Sequence, residues 1–232
     1  MAGEATKPLV FPEFPPALVG HISRRFGLLF IPEKAAEGNV CLANVEEVRP
    51  EYRSTFSSTD LLNYIYALSH TSSYLARFAK AVECNDFDLL IPKDAPNFWW
   101  LAETGGYLRQ LHLLESPLLE AILYPFPLGG SNMVTEPKFM LDVSAARGTP
   151  PVAIHATIGR IYINDNQYFD GVPLSIWNYQ LGVRHPAQEW LVHHKSQPLS
   201  RRDIRDYQKL LHVVSETDLL VSQIAAEVSN WS

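Results

Sequence analysis

The sequence predicts an α+β fold dominated by helices, a single domain with a short antiparallel β-hairpin or small sheet and a long C-terminal helix. Apolar residues recur at three- and four-residue spacing from Leu61 to Phe78, from Trp99 to Leu114 and from Ile204 to Val228, the signature of amphipathic helices. Alternation of apolar with small or polar residues, the signature of a half-buried strand, is confined to the stretch near Pro151 to Asn164. A chain of 232 residues with 47% hydrophobic content is large enough to bury a core unaided. The domain is expected to span residues 1–232, with room for a joint within 1–56.

The opening stretch mixes prolines with apolar residues, which predicts a short helix at Ala17–Phe26 between two extended pieces. Polar and acidic residues dominate Gly38–Arg53, and Ser57, Ser58, Thr59 and Asp60 then offer N-caps to the first apolar-periodic run. The turn-like segment Ser69–Ser73 divides that run into two helices. Its stripe of Leu61, Tyr64, Ile65, Leu68, Leu75 and Phe78 reads as core. Phe87–Pro92 reads as a short strand or extended link stopped by proline. A further helix follows over Phe98–Leu114, where Gly105-Gly106 invites close packing or a bend.

From Glu115 to Phe139 the chain is rich in Pro and Gly, as loops and short extended pieces are. Val152, Ile154, Ala156 and Ile158 then alternate, and the apolar phase switches at Gly159 to Ile161 and Ile163, which makes Gly159 a candidate turn or bulge. Asp165–Gly171 has turn chemistry. Pro173 is placed to start a helix ending near Gly182, and Pro186 to open the next. Ser200 with Asp203 forms an abbreviated capping box before the last helix. The seam of that helix is expected at Ile204, Tyr207, Leu211, Val214, Val221, Ala225 and Val228, interrupted by Asp218.

Composition narrows the function classes. A formal net charge of -6 argues against a stand-alone nucleic-acid binder, because phosphate contacts need a local surplus of cations. A basic edge from Arg24, Arg25, Arg201, Arg202 and Arg205 stays open, as does an ordinary solvated surface. Cys41 and Cys84 stand far apart without metal-ligand spacing, which fits a reducing, cytoplasmic setting. No run of about 18 apolar residues occurs and the start is polar, so neither membrane insertion nor secretion is expected.

No catalytic machinery is expected in this chain. Gly105-Gly106 and Gly129-Gly130 lack the spacing and the lysine of a phosphate loop. A G-x-S-x-G elbow is missing, and neither cysteine has a neighbouring histidine. His193 and His194, adjacent on a helix, point about 100° apart and chelate one metal poorly. Asp203, Asp206, Glu216 and Asp218 read as a solvated helix face. Asp86 and Asp88 with Lys93 share residue types with nuclease sites, but their spacing is too short.

Four stretches carry a family resemblance: FPEFPPALVGHISRRFGLLFIPE (11–33), DLLNYIYALSHTSSYLARFAKAV (60–82), LLIPKDAPNFWWLAETGGYLRQLHLLES (89–116) and GRIYINDNQYFDGVPLSIWNYQLGVRHPAQEWL (159–191), followed by RDIRDYQKLLHVVSET (202–217). In this order they resemble the C-terminal specificity domain, or target recognition domain, of Type ISP restriction-modification enzymes and related fused adenine-N6 DNA methyltransferases. The most specific piece is the block Arg-x-Tyr-Ile-Asn-x-x-Gln-Tyr-Phe-x-Gly-Val-Pro, which runs here from Arg160 to Pro173.

The resemblance implies a DNA target recognition module without catalysis of its own. It implies double-stranded DNA and an adenine-N6 methyltransferase domain or subunit as partners, and S-adenosylmethionine on that partner. The Asn-Pro-Pro-Tyr methyltransferase signature is absent from the sequence. The chain also has Asp165 where the family tends to carry Lys. A basic Lys-Asp-Arg-Lys-Gly-Arg run is replaced by Val192, His193, His194, Lys195, Ser196 and Gln197.

Asn164, Gln167 and Tyr168 are the leading candidates for DNA contact, with Arg160, Arg184, Lys195, Arg201 and Arg202 as the cations around them. Asn and Gln can pair bidentately with adenine, and Tyr can stack or contact phosphate. The competing role for the amides is internal, satisfying the backbone of a strand-turn-helix junction. Tyr162, Phe169, Trp177 and Trp190 read as packing residues. The alternative for the whole chain is a protein-interaction scaffold, derived from such a domain, that docks on a methyltransferase without reading DNA.

Overall fold

The α+β, helix-dominated class is what a computed structural model of the chain shows, over residues 14–32, 53–71, 74–84, 91–121, 123–142, 158–229 and 231. The expectations for Gly38–Tyr52, for Phe87–Leu90 and for Pro151–Thr157 lie outside the described residues. The chain divides into two compact units, residues 1–109 with 220–232, and residues 110–219.

In the first unit, α1 (Pro16–Phe26) ends at Gly27, whose φ of 67° is the left-handed C-cap that glycine supplies without steric cost. Strands β1 (Leu29–Ile31) and β2 (Thr55–Ser57) pair in parallel. Helix α2 (Ser58–Ser69) starts on a full capping box, with the Ser57 N–H donating to Asp60 Oδ2 at 2.7 Å and the Asp60 N–H donating to Ser57 Oγ at 3.2 Å. The expected break follows, and α3 (Tyr74–Cys84) resumes after it. Helix α4 (Ala95–His112) brings Phe98 to the centre of an aromatic cluster with Phe56, Tyr64 and Trp99, ring centroids 5.0–5.8 Å apart. Gly105 and Gly106 serve close packing. A Cβ on Gly105 would enter the van der Waals shell of the Asn63 carbonyl on α2, and one on Gly106 would meet Asn63 Nδ2 at 2.8 Å.

The second unit holds a short 3-10 turn (Pro117–Glu120) and an antiparallel sheet of β3 (Lys138–Leu141), β4 (Ile158–Tyr162) and β5 (Tyr168–Pro173), in that order. It also holds α5 (Leu174–Asn178), α6 (Pro186–His193) and most of α7 (Arg201–Ser229). Its core gathers Ile161, Phe169 and Val172 from the sheet, Ile176 and Leu191 from α5 and α6, and Tyr207, Leu211 and Val214 from α7. The phenol of Tyr207, pushed up by burial, donates to Ala187 O at 2.9 Å.

Three local expectations are corrected. The described hairpin is β4–β5, and half of the segment read as turn, Asp165–Gly171, is strand β5. Of the two roles open to Gly159, turn or bulge, it takes the second inside β4, where a Cβ would run into Met140 O and the Phe139 ring. The phase switch is a bulge: Gly159 pairs with Val172 and Ile161 with Phe169, so Asp170 and Gly171 together oppose Arg160, and Gly171 takes a φ of 71°. Helix α5 stops at Asn178, four residues short of Gly182, which instead shapes a tight turn. The seam of α7 passes through Ile224 rather than the exposed Ala225, and through Thr217 rather than Asp218. Thr217 can be inward because its Oγ1 is 2.9 Å from His112 Nε2. Among the described residues no helix is long and apolar enough to cross a membrane.

Candidate nucleic-acid interface

Antiparallel pleating sends alternate residues of the motif block to opposite faces. Ile161, Phe169 and Val172 turn into the core, while Arg160, Tyr162, Tyr168 and Asp170 are partly exposed. On that outer side the Arg160 guanidinium lies 4.6 Å from the Tyr168 ring centre, and the Tyr168 and Tyr162 rings pair across the strands at 5.0 Å. Two carboxylates hold the same guanidinium: Nε donates to Asp170 Oδ1 at 2.9 Å, and an Nη is 3.3 Å from Asp142 Oδ2. The hydrogen bond to Asp170 raises the Arg160 pKa further above its already high range. Arg160 is therefore a fixed cation whose charge is neutralised where it stands, and Tyr168 is covered by it.

The turn between β4 and β5 contains the two amides. Asn164 Oδ1 accepts from the backbone N–H groups of Asn166 and Gln167 at 3.0 and 2.8 Å, which is an Asx-turn. Its Nδ2 donates to Met133 O at 2.9 Å and to Gln167 Oε1 at 3.1 Å. Gln167 is 3% exposed. Its Nε2 donates to Leu128 O and to Asn132 Oδ1, at 3.0 and 2.8 Å, and its Oε1 also accepts from Asn132 N at 2.8 Å. Every donor hydrogen of both side-chain amides is spent inside the protein. Of the two roles open to Asn164 and Gln167, the geometry fills the internal one, and neither amide retains a donor for a base edge.

What these amides accomplish is the joining of three separate segments. The loop 128–135 is bound to the hairpin turn through Gln167, and to residues 196–199 through Asn132 Nδ2 to Leu199 O (3.2 Å), Leu199 N to Asn132 O (2.9 Å) and Ser196 N to Val134 O (2.8 Å). Gly130 permits the arrangement, since a Cβ there would lie 2.7 Å from Gln167 Cδ. Asn132 adopts a φ of 55°, in the left-handed region that asparagine tolerates. The exposed residues around this node include Asp165, Asn166, Lys195, Arg201 and Arg202, so three of the predicted cations belong to segments the amides tie together or adjoin.

The capping box at Ser200 completes the rim. Ser200 N donates to Asp203 Oδ2 at 2.8 Å and Asp203 N to Ser200 Oγ at 3.2 Å, and hydrogen bonds from the Ser200 side chain and backbone hold the Asp203 carboxyl below its usual range. This helix start already has its anion, so it does not offer an open phosphate site. Arg202 is 3.6 Å from Asp206, an exposed pair that exchanges readily. Arg184 is placed apart, at the far end of α6, within 3.8 Å of Glu189. His194 stacks on Trp190 at 3.8 Å, which gives it a packing role.

Sequence reading missed Asn132 and Gly130, which lie 35 and 37 residues from Gln167; only their turn chemistry was visible locally. It also missed the carboxylates that neutralise Arg160. Ser196 is a further case, with a φ of 64° at the place where the resembling run carries glycine. A left-handed residue with a Cβ costs about 1 kcal/mol, partly offset on substitution by the extra freedom glycine gives the unfolded chain. Ser196→Gly is thus expected to stabilise the protein by about 0.5 kcal/mol in urea titration; a loss of stability would show that the serine hydroxyl compensates for the strain.

A family model for the Type ISP C-terminal specificity domain matches residues 14–223. Among curated proteins none matches. A solved cryo-EM structure of a DrdV–DNA complex is similar at 17% sequence identity, with a TM-score of 0.39, covering 76% of this chain and 18% of that chain.

Proposed function

Because this chain belongs to the Type ISP C-terminal specificity domain family, we propose that it recognises a duplex DNA target for an adenine-N6 DNA methyltransferase in a restriction-modification system. The match over residues 14–223 is the observation that carries the reading. Recognition is its whole contribution: S-adenosylmethionine and the methyl-transfer residues belong to the partner domain or subunit, and the assembly works in the cytoplasm. In this reading Asn164 and Gln167 are positioning residues. They fix the rim on which Lys195, Arg201 and Arg202 meet the phosphates, while Arg160 and Tyr168 support the hairpin from its outer side.

The cations of the rim set the salt dependence. Each phosphate contact contributes about 0.9 to the slope of log affinity against log salt. Replacing Lys195, Arg201 and Arg202 together by glutamine is expected to reduce that slope by about 3 and to weaken all sequences alike. The measurement is fluorescence anisotropy with a random-sequence duplex across a salt series. A wild-type protein that fails to bind any duplex at low salt would end the DNA reading.

One set of observations favours a second reading. Arg160 is neutralised by Asp142 and Asp170, Asp165 is exposed beside the node, and the chain carries a net charge of -6. A module with these features could act as a scaffold that docks on the methyltransferase without touching DNA. Copurification with the methyltransferase, together with no duplex binding at low salt, is the outcome that selects it.

A further inference from the structure

Between α5 and α6 the chain makes a two-residue hairpin that no helix or sheet of the second unit requires. Leu181 N donates to Arg184 O at 2.9 Å and Arg184 N to Leu181 O at 3.2 Å, with Gly182 at a φ of 65° setting the turn. The base is held by Gln180 Nε2 against His185 Nε2 at 3.0 Å, and by Gln188 Nε2 donating to Trp177 O at 2.8 Å. At the tip Val183 is 94% exposed, the most exposed large hydrophobic residue described. The Arg184 side chain beside it is 76% exposed, and its contact to Glu189 is long, at 3.8 Å.

We propose that this hairpin is a groove probe, in which Val183 makes an apolar contact to base edges and Arg184 the polar contact beside it; the proposal rests on the DNA-recognition reading. A branched apolar side chain at a turn tip gains nothing in the free protein, since burial is what makes such a group favourable. Leu181, 58% exposed, shares the hairpin with Val183, and Gln180, Arg184 and His185 around them are polar, so the apolar surface is two side chains rather than the contiguous patch of a protein-docking site. A small apolar tip beside an arginine fits a groove, where thymine methyls and guanine acceptors lie side by side. The two closing hydrogen bonds fix the tip before binding, so little order has to be imposed on it. The spacing also suits a duplex. Helix α6 has 8 residues, a rise of about 12 Å, and it separates Arg184 from the turn that carries Lys195 by roughly the width of a major groove.

The test uses the full chain. Duplexes enriched by the wild type from a random 40-base-pair library, about four turns of helix, are compared with the unselected library in anisotropy titrations against Val183→Ala. The substitution is expected to weaken binding to enriched duplexes about tenfold, the effect of losing one buried branched side chain, and to leave low-salt binding to unselected duplexes unchanged. Arg184→Gln is expected to weaken both. Wild-type affinity of Val183→Ala for enriched duplexes would overturn the probe, and so would an equal loss on both duplex sets. If the wild type enriches nothing, the DNA reading falls and the probe with it; if it enriches and Val183→Ala is unaffected, only the probe falls. Thermal melting is expected to be unchanged by Val183→Ala, because the side chain contributes no packing.

Discussion

Gln167→Leu is expected to destabilise the second unit by about 3 kcal/mol. The estimate starts from about 1 kcal/mol for each neutral hydrogen bond lost, with a further penalty for partners left buried and unpaired. Leucine keeps much of the volume but removes the bonds to Leu128 O, Asn132 Oδ1, Asn132 N and Asn164 Nδ2. Some of those partners lie near exposed residues and regain water, which keeps the total below the sum of four full penalties. Urea unfolding measures the loss. Hydrogen exchange locates it, with faster exchange expected at the amides of Val134, Ile163 and Leu199, whose bonds connect the joined segments. A change below about 1 kcal/mol would mean that the three segments hold together without the amide.

Gln167→Glu separates bonding from shape. The carboxylate accepts but cannot donate, so it would face Leu128 O and Asn132 Oδ1 with no proton between them. Burial and those two oxygens would raise its folded-state pKa above the unfolded value. A raised folded pKa means that the native state binds more protons than the unfolded chain, so stability is present at low pH and is lost as pH rises through the folded value. The Gln167→Glu protein is therefore expected to be more stable near pH 5 than near pH 7, relative to wild type. A flat difference across that range would show that the side chain escapes to solvent.

The parts of this fold that were legible in the sequence are those fixed by short-range rules. The N-cap among Ser57–Asp60, the capping box at Ser200, the break after Ser69 and the proline that opens α6 all depend on residues within four positions of each other, and each is found where spacing placed it. The errors arose where a distant partner decides. At Gly159 turn and bulge stayed open, because nothing local reveals that Met140 O and the Phe139 ring need its missing Cβ. Ala225 and Ile224 are equally good inward residues by periodicity, and the core chooses between them. The candidate site follows the same division. The motif block identified Asn164 and Gln167, but the direction of their amides depends on Asn132, which no pattern connects to them. Arg160 was recognisable as a cation, while its neutralisation by Asp142 comes from a segment whose approach the sequence does not reveal.

Gly105→Ala is expected to destabilise the first unit by about 2 kcal/mol, even though alanine is the better helix former. Inside a helix the exchange alone is worth about 1 kcal/mol in favour of alanine. At Gly105 the new methyl would collide with the Asn63 carbonyl and approach Ala67 Cβ to 3.0 Å. The obstacle is backbone held within α2, so it cannot rotate away as a flexible side chain would. Overpacking of this kind costs about 3 kcal/mol at the upper end of its usual range, which exceeds the helical gain. Gly20→Ala in α1 supplies the contrast, because a Cβ there meets nothing within 4 Å. That substitution is expected to raise stability by up to about 1 kcal/mol. The same chemical change should thus have opposite signs in two helices of one unit, and urea titrations of the two variants decide the matter. Stabilisation by Gly105→Ala would show that α2 and α4 can separate at low cost, and that Gly105-Gly106 is not what sets their approach.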